Sequence, residues 1–177
     1  MRNVLIALGA LSDSDIDWIL DVGAKQKILN SESLVDMGQP IDALYLLLEG
    51  QFGVFVNHQM VAQLSSGDIV GEMSLVDSQL PSATVTALID SLVFSIPRSQ
   101  LKQHLSADLG FAARFYRMTS LFLSNRLRVL NAQASGAQSA SLQAEDYDAD
   151  EIAPDVLEDL ALAASRFEWI LKRLNLK

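Results

Sequence analysis

The sequence predicts a mainly β fold flanked by helices, in which a barrel or sandwich of about eight short strands follows one short helix and precedes a long one. Three observations carry this expectation. Between Lys25 and Pro97, short runs rich in Val, Leu, Ile and Phe alternate with turn residues, which is how an all-β domain reads in sequence. On both sides of that region the apolar residues recur at helical spacing. Near the C-terminus a small-polar and then acidic stretch separates the long helix from one more amphipathic helix.

Taken in order, "LSDSDIDWILDVG" opens with Ser12 and Asp15 spaced as a capping box, and Ile16, Ile19 and Leu20 then share a helical face before Gly23. Its Asp13, Asp15 and Asp17 copy the first ligands of a calcium loop. The glycine and glutamate that such a loop also needs are replaced by Trp18 and Ala24, so no metal site is expected. The strand region runs through "QKILN", "SLVDMG", "ALYLLLEG", "FGVFVN", "MVAQLSSG", "DIVG", "ATVTALI" and "SLVFSIP", punctuated by Gly38, Gly50, Gly67 and Gly71. After Pro97, "RSQLKQHLSADL" reads as one helix. "GFAARFYRMTSLFLSNRLRVLNAQ" reads as a longer one, with Phe111, Phe115, Met118 and Phe122 on one face and Leu123, Leu127 and Leu130 extending another. A helix apolar on two faces needs two neighbours.

The chain thus divides into a barrel with its flanking helices (1–133), a flexible polar and acidic linker (134–152) and an amphipathic C-terminal helix (153–177). The linker has too few apolar residues to offset its ordering entropy by burial. In the last helix Pro154 stands at the start, acids fill the first turns, and Lys172 and Arg173 fill the final one. Its apolar stripe, from Val156 to Leu174, requires a partner surface.

Composition narrows the function. With 177 residues, half of them apolar, the chain can bury one sizeable core. A net charge of -9 disfavours nucleic acid and anionic membrane as partners, since both require clustered Lys and Arg. Cysteine is absent, which excludes disulfides and thiolate chemistry. "MRNVLIALGALSDSD" lacks a signal-peptide cleavage pattern, and no apolar run approaches the ~18 residues of a membrane span. A soluble, cytoplasmic chain is therefore expected. No catalytic residues are assigned, because His58 and His104 stand apart from any nucleophile elbow, zinc motif or phosphate-binding loop.

The order helix, "LYLLLEGQFGVFV", "LSSGDIVGEMSLVDSQLPSATVTAL", "SLVFSIPRSQL" and long helix resembles the cyclic-nucleotide-binding domain family, which includes the bacterial cAMP receptor proteins and the regulatory subunits of cyclic-nucleotide-dependent kinases. The resemblance covers roughly Leu11 to Leu130. It implies an eight-stranded jelly-roll barrel whose sugar-phosphate cassette runs from Gly71 to Val85. By that match Glu72 would accept from a ribose hydroxyl, while the amides of Met73, Ser74 and Ala83 would face the cyclic phosphate. Glu72 has a second reading, as a carboxylate that caps its own helical turn without any ligand.

The chain departs from the family where the phosphate arginine belongs. Pro81 or Ser82 takes that place, and no Lys or Arg occurs between Lys27 and Arg98. A hydrogen bond to a charged group contributes about 1.5–3 kcal/mol, so its loss weakens binding roughly ten- to hundred-and-fifty-fold. Arg126 is the best substitute, since "RL" at Arg126 and Leu127 resembles a helix pair that some members place near the nucleotide. The periodicity favours another view, in which Arg114, Arg117, Arg126 and Arg128 face solvent. After the long helix the chain carries no winged helix-turn-helix, so DNA binding is not expected.

These readings converge on a non-catalytic regulatory module that requires no cofactor and binds cAMP or cGMP weakly or not at all. It would act as a homodimer through Phe111, Phe115, Met118 and Phe122, and through protein contacts of its barrel surface or C-terminal helix. The alternative is a genuine small-molecule sensor, with Gly71, Glu72, Ser82 and the cassette amides holding a cyclic nucleotide or a less anionic ligand.

Overall fold

The computed structural model describes residues 9–134 and, toward the C-terminus, 165–166, 169–170 and 172–174. The linker expected over 134–152 lies outside the described residues, apart from its first. Helix α1 (Asp13–Val22) begins on the expected capping box: Ser12 Oγ accepts from the Asp15 amide at 3.2 Å, and the Asp15 carboxylate accepts from the Ser12 amide at 2.8 Å.

Eight strands follow: β1 (Ala24–Ile28), β2 (Ser33–Val35), β3 (Ala43–Glu49), β4 (Gln51–Val56), β5 (Gln59–Ser65), β6 (Ile69–Val70), β7 (Thr84–Ala87) and β8 (Ser91–Pro97). They form two four-stranded sheets, β1-β8-β3-β6 and β2-β7-β4-β5, with every pairing antiparallel. This is the jelly-roll arrangement that the sequence predicts. Helix α2 (Glu72–Asp77) interrupts the strands between β6 and β7, and α3 (Arg98–Ala107) and α4 (Leu109–Ala134) follow the last strand.

Two cores share the first sheet. Leu47 and Val93 point between the sheets, where they pack with Phe52, Leu64, Val70 and Val85. Leu44, Leu48, Phe94 and Ile96 point the other way, into a layer formed with Ile16, Leu101, Leu105, Phe111 and Phe115 of the helices. This explains why "ALYLLLE" and "SLVFSIP" lack period-two alternation, since a strand buried on both faces has no polar side to write.

Helix α4 is fastened to α1 by Arg114, whose Nε and Nη2 donate to the two carboxylate oxygens of Asp15 at 2.6 and 2.8 Å. Burial pushes the Asp15 carboxyl up, but the hydrogen bonds from Arg114 and Ser12 outweigh it, and the group stands below its ordinary value. Trp18 stacks on His104 with centroids 3.9 Å apart and planes at 12°, and Phe111 meets the indole edge-on. That histidine is a packing residue.

The described part of the C-terminal segment lies on α1. Arg166 donates to Asp13 and to the Leu11 carbonyl, and Arg173 pairs with Asp17 and Asp21. Ile170 is buried in the helical core, and the Leu174 carbonyl accepts from Lys25 Nζ at 2.6 Å. The three aspartates that imitated a calcium loop are thus each engaged by an arginine.

One sequence-based assignment is corrected. Phe111, Phe115, Met118 and Phe122 were expected to meet a second subunit, yet they are 0–8% exposed inside the chain's own helical core. Of the two apolar faces of α4, this one is covered by the chain itself. Among the described residues of the helix, the large apolar side chains left exposed are Leu109, Tyr116, Leu121 and Leu127.

Candidate functional site

The site is built where β6 turns into α2. Gly71 carries a φ of +98°, in the left-handed region, and an added Cβ would stand 2.8 Å from Ile41 Cδ1 and 3.0 Å from the Ala43 carbonyl oxygen. Only glycine fits both the dihedral and the space. The turn delivers Glu72 inward, where its side chain is 7% exposed.

The partner of Glu72 comes from the far end of α4. Arg126 Nη1 donates to Glu72 Oε1 at 2.5 Å, and Nη2 donates to the Ile69 carbonyl at 3.2 Å. This corrects the solvent-facing assignment for two of the four helix arginines, since Arg126 and Arg114 each grip a buried carboxylate. Burial pushes the Glu72 carboxyl above its ordinary range. The Arg126 charge and the amides of Glu72 and Gly71 pull it back without cancelling that effect, and Asp68 adds to the rise. Glu72 therefore ties the far end of the long helix to the β6–α2 turn.

Beside the pair lies a cavity of about 330 Å³. All seven residues that the sequence singles out, Gly71, Glu72, Met73, Ser74, Ser82, Ala83 and Arg126, line it. Most of the remaining wall is apolar, from Val35, Ile41, Val54, Val56, Leu64, Val70 and Val85. Arg126 is the one cation among the described lining residues. Pro81 also lines the cavity, and its carbonyl accepts from the Gly38 amide at 2.9 Å. Asp77 holds its turn through the Gln79 amide at 2.9 Å.

Sequence reasoning missed Arg98. Its guanidinium donates to the carbonyl of Ser74 in α2 and, at 3.4 Å, to that of Ile41, so it clamps the cassette helix from behind. No local spacing links Arg98 to Ser74, which lies 24 residues earlier. Its position immediately after Pro97, as the first cation beyond the strands, was the available signal.

A two-sheet antiparallel barrel with a glycine-glutamate turn at its cavity and a long helix reaching across to that glutamate is the arrangement that the family resemblance implies. Residues 25–108 match the family model described as the cyclic nucleotide-binding domain. A cyclic nucleotide-binding domain from Methylobacillus flagellatus superposes with a TM-score of 0.67 at 21% identity, covering 80% of this chain and 85% of that one. The catabolite activator protein of Thermus thermophilus gives a TM-score of 0.58 at 22% identity, over 71% of this chain and 59% of that one. At such identities the likeness is one of fold. An uncharacterized NTE family protein of Mycobacterium tuberculosis is 26% identical over 150 residues, which is 80% of this chain and 26% of that protein. The chain therefore spans about a quarter of the length of that relative. Among the described residues no helix is long and apolar enough to cross a membrane.

Proposed function

We propose that the protein is a non-catalytic regulatory module of the cytoplasm, built on a cyclic-nucleotide-binding scaffold with weak affinity for cAMP and cGMP. The observation that carries this reading is the Arg126–Glu72 pair. It engages the one described cation at the cavity and also the carboxylate that the family resemblance assigns to the ribose. A nucleotide would have to compete for both groups. Calorimetric titration with cAMP and cGMP should give dissociation constants near millimolar, about ten- to hundred-and-fifty-fold weaker than a micromolar site with its arginine. Micromolar binding would overturn the reading. Ser82→Arg, which returns a charge to the family's position, should tighten cAMP by about tenfold or more. An unchanged affinity would remove the missing charge as the cause.

The module acts as a homodimer in this proposal, along the exposed side of α4. Tyr116 and Leu127 there are 45% and 58% exposed, and a second copy would cover them. Sedimentation should report a dimer for the native chain and a monomer for the Tyr116→Ser/Leu127→Asp double variant. A native chain that sediments as a monomer at every concentration sinks this part.

A further inference from the structure

The cavity beside Glu72 is open, and its chemistry does not suit an anion. Its volume of about 330 Å³ falls within the range of small-molecule sites, roughly 300–1,000 Å³. Val54, Val56, Leu64 and Val85 wall it between the sheets. At the lining Val61, Met73 and Leu80 are 45%, 48% and 55% exposed. Large apolar side chains held in water around a concave apolar surface mark a place that something apolar covers. The charged groups do not oppose this, because Glu72 and Arg126 neutralise each other and the Asp77 carboxylate is turned to the Gln79 amide.

We propose that this cavity binds an uncharged, mainly apolar molecule of one or two rings, with at most a hydroxyl or carbonyl at its Glu72–Arg126 end. The inference rests on the reading above that Arg126 is engaged by Glu72. An anion would have to part the pair and leave a buried carboxylate without its partner, whereas a neutral ligand leaves the pair closed. A hydroxyl can donate to the carboxylate, and a carbonyl can accept from guanidinium N–H groups beyond those that bond Glu72 and Ile69.

The test uses the full chain and the uncharged fluorescent probe N-phenyl-1-naphthylamine. Saturable one-to-one binding is expected. Ala62→Phe and Val56→Phe, which fill the cavity, should each weaken it tenfold or more, and Leu109→Ser, at an exposed site on α4, should leave it unchanged. In the native chain the methyl NMR signal of Met73, which lines the cavity, should move with probe while that of Met60 stays in place. This arm stands even if the filled variants fail to fold. Absence of saturable binding, a stationary Met73 signal, or folded filling variants that bind as the native chain does would each overturn the inference. With weak cAMP binding, those results leave the regulatory reading standing. Displacement of the probe by micromolar cAMP would overturn both.

Discussion

Arg126→Ala should destabilise the fold by about 2–3 kcal/mol, because it strips the partner from a carboxylate that the barrel keeps buried. The figure sits at the lower end for buried pairs, since the Arg126 side chain is itself 34% exposed. The pH dependence identifies the group responsible. Burial already holds the Glu72 carboxyl above its ordinary range, and loss of Arg126 raises it further. A carboxyl raised in the folded state binds its proton more tightly there than in the unfolded chain. Stability therefore falls as pH climbs from the ordinary glutamate value to the folded one. The cost of the substitution should be greatest near neutrality and shrink in acid, as read by urea denaturation across a pH series. A cost that stays constant with pH would assign it to packing of the arginine stem instead.

Asp15→Ala should cost a similar amount, about 2–3 kcal/mol, through two losses at one position. The capping box of α1 contributes about 1 kcal/mol. The remainder is the tie between α1 and α4, discounted because solvent reaches its arginine side. Here the pH trend has the opposite sign. The folded Asp15 carboxyl stands below its ordinary value, so its stabilisation is complete above the ordinary aspartate range and is lost as pH falls toward the folded value. The native chain should lose stability in that acid window and Asp15→Asn should lose less, measured by thermal melts at stepped pH. Parallel curves for the two proteins would show that Asp15 does not carry the acid response.

The parts of this molecule that are legible in sequence are those that local geometry dictates. Gly71 and Glu72 announce their turn because only glycine tolerates that dihedral, and Ser12 with Asp15 announces a helix start. The two-core arrangement is not legible, because β3 and β8 are apolar on both faces and no alternation says which side faces the cavity. The pairing of Arg126 with Glu72 is equally silent, since 54 residues separate them and the helix pattern around Arg126 is that of an ordinary solvated arginine. For the same reason the stripe from Phe111 to Phe122 advertises burial without saying whether its cover is a partner or the chain itself.

Helix α4 is pinned at two points, by Asp15 at Arg114 and by Glu72 at Arg126, twelve residues or about 18 Å apart along its axis. The pins differ in acid strength: Glu72 takes up its proton at a higher pH than Asp15 does. As pH falls, the charge at the cavity pin is lost before the charge at the α1 pin. Acid therefore weakens the tie between α4 and the barrel cavity before it weakens the tie between α4 and α1.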